Sequence, residues 1–73
     1  MTKEQTNLMI DEIGERITIL MNSSFELVRK LASEEYSSPW DQVNDMIKIG
    51  ELAQAMNNLS DTRSNLYTLR GMK

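Results

Sequence analysis

Ser37-Ser38-Pro39-Trp40-Asp41 is the only strong punctuation in the 73-residue chain, and its reading decides the fold. Proline lacks an N–H and fixes φ at about −65°, which suits the first turn of a helix. Ser38 is a capping residue in front of it. Asp41 takes the N3-like place of a capping box, where an acid also favours the positive end of the helix dipole. A helix is therefore expected to start at Pro39, with Arg70 in its last turn and Gly71 as its C′ residue. β-branched runs and period-two alternation are missing, so no strand is expected.

Upstream of the turn, Ile10, Ile13, Ile17, Leu20, Leu27 and Leu31 recur at steps of three and four once Ser24 fills its slot. This is a heptad seam of the coiled-coil kind. Met21, Phe25 and Val28 widen it on one side. A break at Asn22-Ser23-Ser24, with Ser23 and Glu26 as a capping box, is the competing reading. The seam keeps its phase across Ser24, so a continuous helix is expected, and Gly14 costs about 1 kcal/mol without ending it. Downstream, Trp40, Val43 and Ile47 share one stripe, while Ile49, Leu52, Met56, Leu59 and Leu66 share another with Arg63 and Arg70 in its empty slots. A single seam cannot hold both stripes, so helix 2 either bends near Gly50 or touches two neighbours.

The expected fold is all-α: one hairpin domain over 1–73, with a helix at about 4–36, a turn at 37–38 and a helix at about 39–70. Folding about the turn sets Arg63 opposite Asp11, Glu12 and Glu15, and Arg70 opposite Glu4. It also sets Leu66 against Met9, Leu59 against Arg16, Met56 against Ile19, and Leu52 against Ser23 and Ser24. The acidic first helix thus finds basic partners late in the second. Two helices enclose no core between them, so the apolar residues left over imply an interface. Dimerisation into a four-helix bundle is the expected completion. The residues assigned to that partner interface are Leu8, Ile19, Phe25, Tyr36, Trp40, Val43 and Ile47.

Composition narrows the chemistry. A chain of this length rarely draws more than about 3–5 kcal/mol from one core and commonly adds disulfides, a metal or a second subunit. There is no Cys and no His, which removes disulfides and thiolate or imidazole metal sites. The same absence removes the usual general base and nucleophile. The three glycines are isolated, so no phosphate-cradling loop exists. No enzyme activity and no cofactor are expected. The net charge of −3 has the wrong sign for a general nucleic-acid binder. Met1-Thr2-Lys3-Glu4-Gln5 is polar with no apolar h-region after it, and Ile17–Met21 is too short to cross a bilayer. A cytoplasmic protein without membrane contact is expected.

Three candidate chemistries remain. Asp11 and Glu15 stand four apart on one helix, next to Glu12, and Glu34-Glu35 form a second acidic pair; a solvated face is the plainer reading than a hard-cation site. Arg63 and Arg70 share a helical face and, with Lys73 and Lys48, could grip phosphate; pairing with helix 1 is the plainer reading. Trp40 could anchor a partner, although packing against Tyr36 and Val43 is the commoner use of such a residue. Met9, Met21, Met46 and Met56 fall on or near apolar faces and suit adaptable binding as well as core filling. The leading expectation is a protein-interaction module, acting as inhibitor, adaptor or chaperone, that works as a homo-oligomer, most simply a dimer, with a protein partner. A nucleic-acid or nucleotide-binding bundle using Arg63 and Arg70 is the alternative. A structural subunit of a phage or secretion assembly is a third.

Overall fold

A computed structural model describes residues 2–33 and 36–71. It contains two α-helices and, among the described residues, no strand: α1 runs Lys3–Ser33 and α2 runs Pro39–Gly71. They form an antiparallel hairpin, a rod of 55 × 14 × 14 Å.

Both helices begin on side-chain caps. At α2 the Ser38 hydroxyl accepts the Trp40 backbone N–H at 3.2 Å, and Pro39 occupies the position where an N–H would have no partner. The second half of a capping box, in which Asp41 would reach back, is not formed. At α1 a complete box is present that the sequence reading passed over. The Gln5 backbone N–H donates to the Thr2 hydroxyl at 3.1 Å, and the Thr2 N–H donates to the Gln5 side-chain carbonyl at 2.9 Å. The expected continuity of α1 through Asn22-Ser23-Ser24 holds, and α2 likewise runs unbroken past Gly50. Tyr36 lies outside α1, so the helix stops short of the expected end at 36. Gly71 is the last helical residue rather than a C′ residue. Glu34 and Glu35 lie outside the described residues.

The two helices meet along one seam. On α1 the least exposed residues step from Thr6 through Ile10, Ile13, Ile17, Leu20, Ser24 and Leu27 to Leu31. On α2 they step from Asp45 through Ile49, Leu52, Met56, Leu59, Arg63 and Leu66 to Arg70. Each row alternates steps of four and three from one end to the other, the spacing that keeps a helix face turned to its neighbour. Contacts at both ends fix the register. Arg70 donates to the Asn7 side-chain oxygen at 2.7 Å, and Lys30 pairs with Asp45 at 3.4 Å. Between them Ile10 and Ile13 pack with Leu66, and Ile17 and Leu59 close over that cluster.

This register corrects the expected pairings in part. Leu66 meets Ile10 and Ile13 instead of Met9, while Leu59 packs on that cluster and shares a cleft with Arg16, as expected. Arg70 binds Asn7 instead of Glu4. Arg63 lines one cleft with Asp11 and Glu15, as the fold-back expects, but makes no ion pair with them; its guanidinium lies over Gly14, and Glu12 pairs with Arg16 on its own helix at 2.9 Å. Burying a large aliphatic side chain stabilises by about 1.5–3 kcal/mol, whereas an exposed ion pair is worth about 0–1 kcal/mol. Where the two demands conflict, the aliphatic layers set the register.

The core is small. Ile10, Ile13 and Leu66 are its only buried apolar residues among those described, and no side chain is completely enclosed. Leu66→Ala should therefore lower stability by about 2 kcal/mol, toward the mild end for core truncations because the rod can close around the gap. Thermal unfolding followed by circular dichroism checks this, with a fall in midpoint on the order of 10 °C expected.

Candidate functional site

The seam has two sides, and they differ in chemistry. Gly14 and Thr18 of α1 line a shallow cleft with Arg63 and Tyr67 of α2. Those residues therefore flank one side of the seam. Steps of three and four carry the α1 row from Gly14 and Thr18 to Met21, Phe25, Val28 and Ala32. The same steps carry the α2 row from Tyr67 back through Ser60 and Asn57 to Ala53, Gly50, Met46 and Val43. From Thr18 to Ala32 and from Ser60 to Val43 neither row holds a charged residue. Phe25 is 59% exposed, and Met21, Val28, Val43 and Met46 are all exposed. The half of this side nearest the turn is thus a continuous apolar face.

The other side is charged. Ser23, Glu26 and Lys30 of α1 line a cleft of about 680 Å³ with Lys48, Glu51 and Ala55 of α2. The floor is Leu27 and Leu52. Alternating acid and base along the rim suits a solvated surface and presents no single sign of charge to a ligand.

The residues assigned to an interface from the sequence do not form one surface. Phe25 and Val43 lie on the apolar side, with Ile47 and Trp40 next to that row on the outer flank of α2. Trp40 is 75% exposed, so it does not pack the end of the hairpin against Tyr36 and Val43. Ile19, 63% exposed, borders a cleft with Arg16, Leu20 and Leu59 on the opposite side of the seam. Leu8, 69% exposed, stands far along α1 on its outer surface. Met21, Val28, Met46 and Ala53 complete the apolar face without having been assigned to it; the signal was their spacing from Gly14 and Tyr67. Of the candidate anion ligands, Arg63 and Arg70 are half-buried at seam positions, and Arg70 also lies over the Tyr67 ring at 5.0 Å. Lys73 lies outside the described residues. Among the described residues no group of three acidic side chains is placed to hold a metal ion, and no helix is long and apolar enough to cross a membrane.

Tyr36 belongs to neither face; it clasps the turn. Its hydroxyl donates to the Asp45 carboxylate at 2.9 Å, and the Lys30 ammonium sits 4.9 Å from its ring centre while pairing with the same carboxylate. Asp45 is a polar residue in a seam position, only 8% exposed, and these two partners satisfy it. Burial, then the Asp45 bond and charge, push the Tyr36 phenol from its ordinary 10.0 up to about 12. The Tyr36 bond, helped by the Lys30 charge and opposed by burial, holds the Asp45 carboxyl below its ordinary 3.8.

No protein-family model, no curated protein and no solved structure matches this chain.

The clasp makes stability depend on pH at both extremes. Between pH 10.0 and about 12 the unfolded phenol loses its proton while the folded one keeps it, so stability falls as pH rises through that window. Below pH 3.8 the unfolded Asp45 takes up a proton before the folded one does, so stability falls as pH drops. Tyr36→Phe should remove the phenol's share of the alkaline loss and weaken the acid one. Melting curves recorded across both windows for the two proteins check this.

Proposed function

We propose that this chain is a small, non-enzymatic protein-interaction module that acts as a homo-oligomer, with two hairpins completing a four-helix bundle. The observation that carries the reading is the uncharged, exposed apolar face on the half of the rod nearest the turn, set against a core of three buried apolar residues among those described. Exposed apolar surface of this continuity marks an interface in a water-exposed domain. The remaining exposed anchors, Trp40 above all, suit a different protein that the assembled bundle inhibits, adapts or chaperones. The seam positions of Arg63 and Arg70 favour this reading over a phosphate grip, because Arg70 is already bonded to Asn7 and Arg63 is half-buried between the helices.

Sedimentation equilibrium of the whole chain at micromolar concentration tests the proposal. A dimer is expected, with helicity that falls on dilution together with its mass. A fully helical monomer at that concentration overturns it. Ile19→Asp, on the charged side, should leave the sedimenting mass unchanged, whereas Phe25→Asp should shift it to the monomer.

A further inference from the structure

Resting on the reading just given, we infer that two hairpins pack through the Met21–Ala32 and Val43–Ala53 rows about a two-fold axis parallel to the helices. Both turns then lie at the same end, and Phe25 of each copy sits on the partner's Gly50.

The exposed area is of the right size. The side chains of the face each leave roughly half of their surface outside, on the order of 600 Å² in all, and a stable interface takes about 800 Å² from each partner. Ile47 on the flank brings the face close to that size. The face is also uncharged across both rows, so a second copy brings no unpaired charge into the contact.

Side-chain size selects the orientation. Phe25 lies between the Ser24 and Leu27 layers of the seam, and Gly50 lies between the Leu52 and Ile49 layers directly across, so the two stand at one level along the rod. Read from the middle of the rod toward the turn, the α1 row is Met21, Phe25, Val28, Ala32 and the α2 row is Ala53, Gly50, Met46, Val43. A large residue on one helix stands level with a small one on the other at both ends of the series and at Phe25. An axis parallel to the helices keeps levels and lays α1 on the partner's α2, so bulk enters space. An axis across the helices would instead lay α1 on α1 and α2 on α2 with the levels reversed, so that with the two faces in full overlap Phe25 meets Val28 and Gly50 meets Met46. Only the first arrangement puts the largest side chain of the face, Phe25, on its barest position, Gly50.

Gly50 is the independent observation. Glycine inside a helix costs about 1 kcal/mol relative to alanine. Nothing in the hairpin demands it, since an added Cβ at Gly50 meets no atom within 4 Å, whereas one at Gly14 meets Arg63 at 3.8 Å. A bare stretch of backbone in the centre of an apolar face is a seat for a close approach from outside.

The chain has no cysteine of its own, which makes cross-linking a clean test. Phe25→Cys and Gly50→Cys proteins of distinguishable mass are mixed, equilibrated and oxidised. The mixed disulfide dimer should form well ahead of either self-linked dimer. Because Phe25→Cys also removes the seated ring, Val28→Cys mixed with Met46→Cys carries the same test. Separately, Gly50→Leu should weaken dimerisation on the order of ten-fold or more while leaving the monomer as helical as before. A dominant Phe25→Cys self-link would mean an axis across the helices and would overturn the inference. So would a Gly50→Leu protein that dimerises as well as the parent. A dimer by sedimentation that gives none of these cross-links overturns this packing and leaves the proposed function standing; a monomer overturns both.

Discussion

Two cylinders laid side by side touch along a line, and each can turn only one stripe away from water. Everything else in this hairpin follows from that limit. The stripe on α1 and the stripe on α2 are regular from end to end, yet among the described residues only Ile10, Ile13 and Leu66 are buried apolar ones. The seam is therefore long in register and thin in enclosed volume. Polar residues occupy several of its layers: Thr6 and Arg70 at the open end, Ser24 near the middle, Asp45 at the turn. Such layers add little burial, but an ill-matched register would strand them without partners, so they make sliding costly.

The helices, the turn and most of the seam were legible in the sequence, because spacing at three and four survives any change of neighbours. Ser38-Pro39 marked the start of α2 through chemistry that is local to the backbone. The register was misread by about one position because Thr6 and Asp45, which close the two rows, are polar and drop out of an apolar pattern. The charges near the open end then offered an attractive but weaker alternative. The Thr2–Gln5 box was present in plain spacing but lies before any apolar residue that would draw attention to it.

The candidate face was legible in kind and not in membership. An excess of apolar residues over what two helices bury was evident from composition. Which of them share a side depends on how the helices are rotated about the seam, and that is a tertiary quantity. Ile19 and Phe25 are both exposed and apolar, yet the seam separates them. The displaced stripe of Trp40, Val43 and Ile47 suggested either a bend near Gly50 or a second neighbour; the helix runs on, and the stripe lies on and beside the apolar face. Gly50 lacks a side chain for a reason the hairpin alone does not supply.

The strict counting of the seam also governs which changes of length the chain can absorb. Each helical residue advances the face by 100°, so loss of a single residue within α1 or α2 would rotate every layer beyond it out of the contact. The lesion would be worst at the middle of a helix, where it puts half the rod out of phase. Removing seven residues from each helix at matching levels would shorten the rod and keep its phase. Descendants of this sequence would thus vary freely on the charged side of the rod, while their helices changed length only by whole heptads taken in pairs.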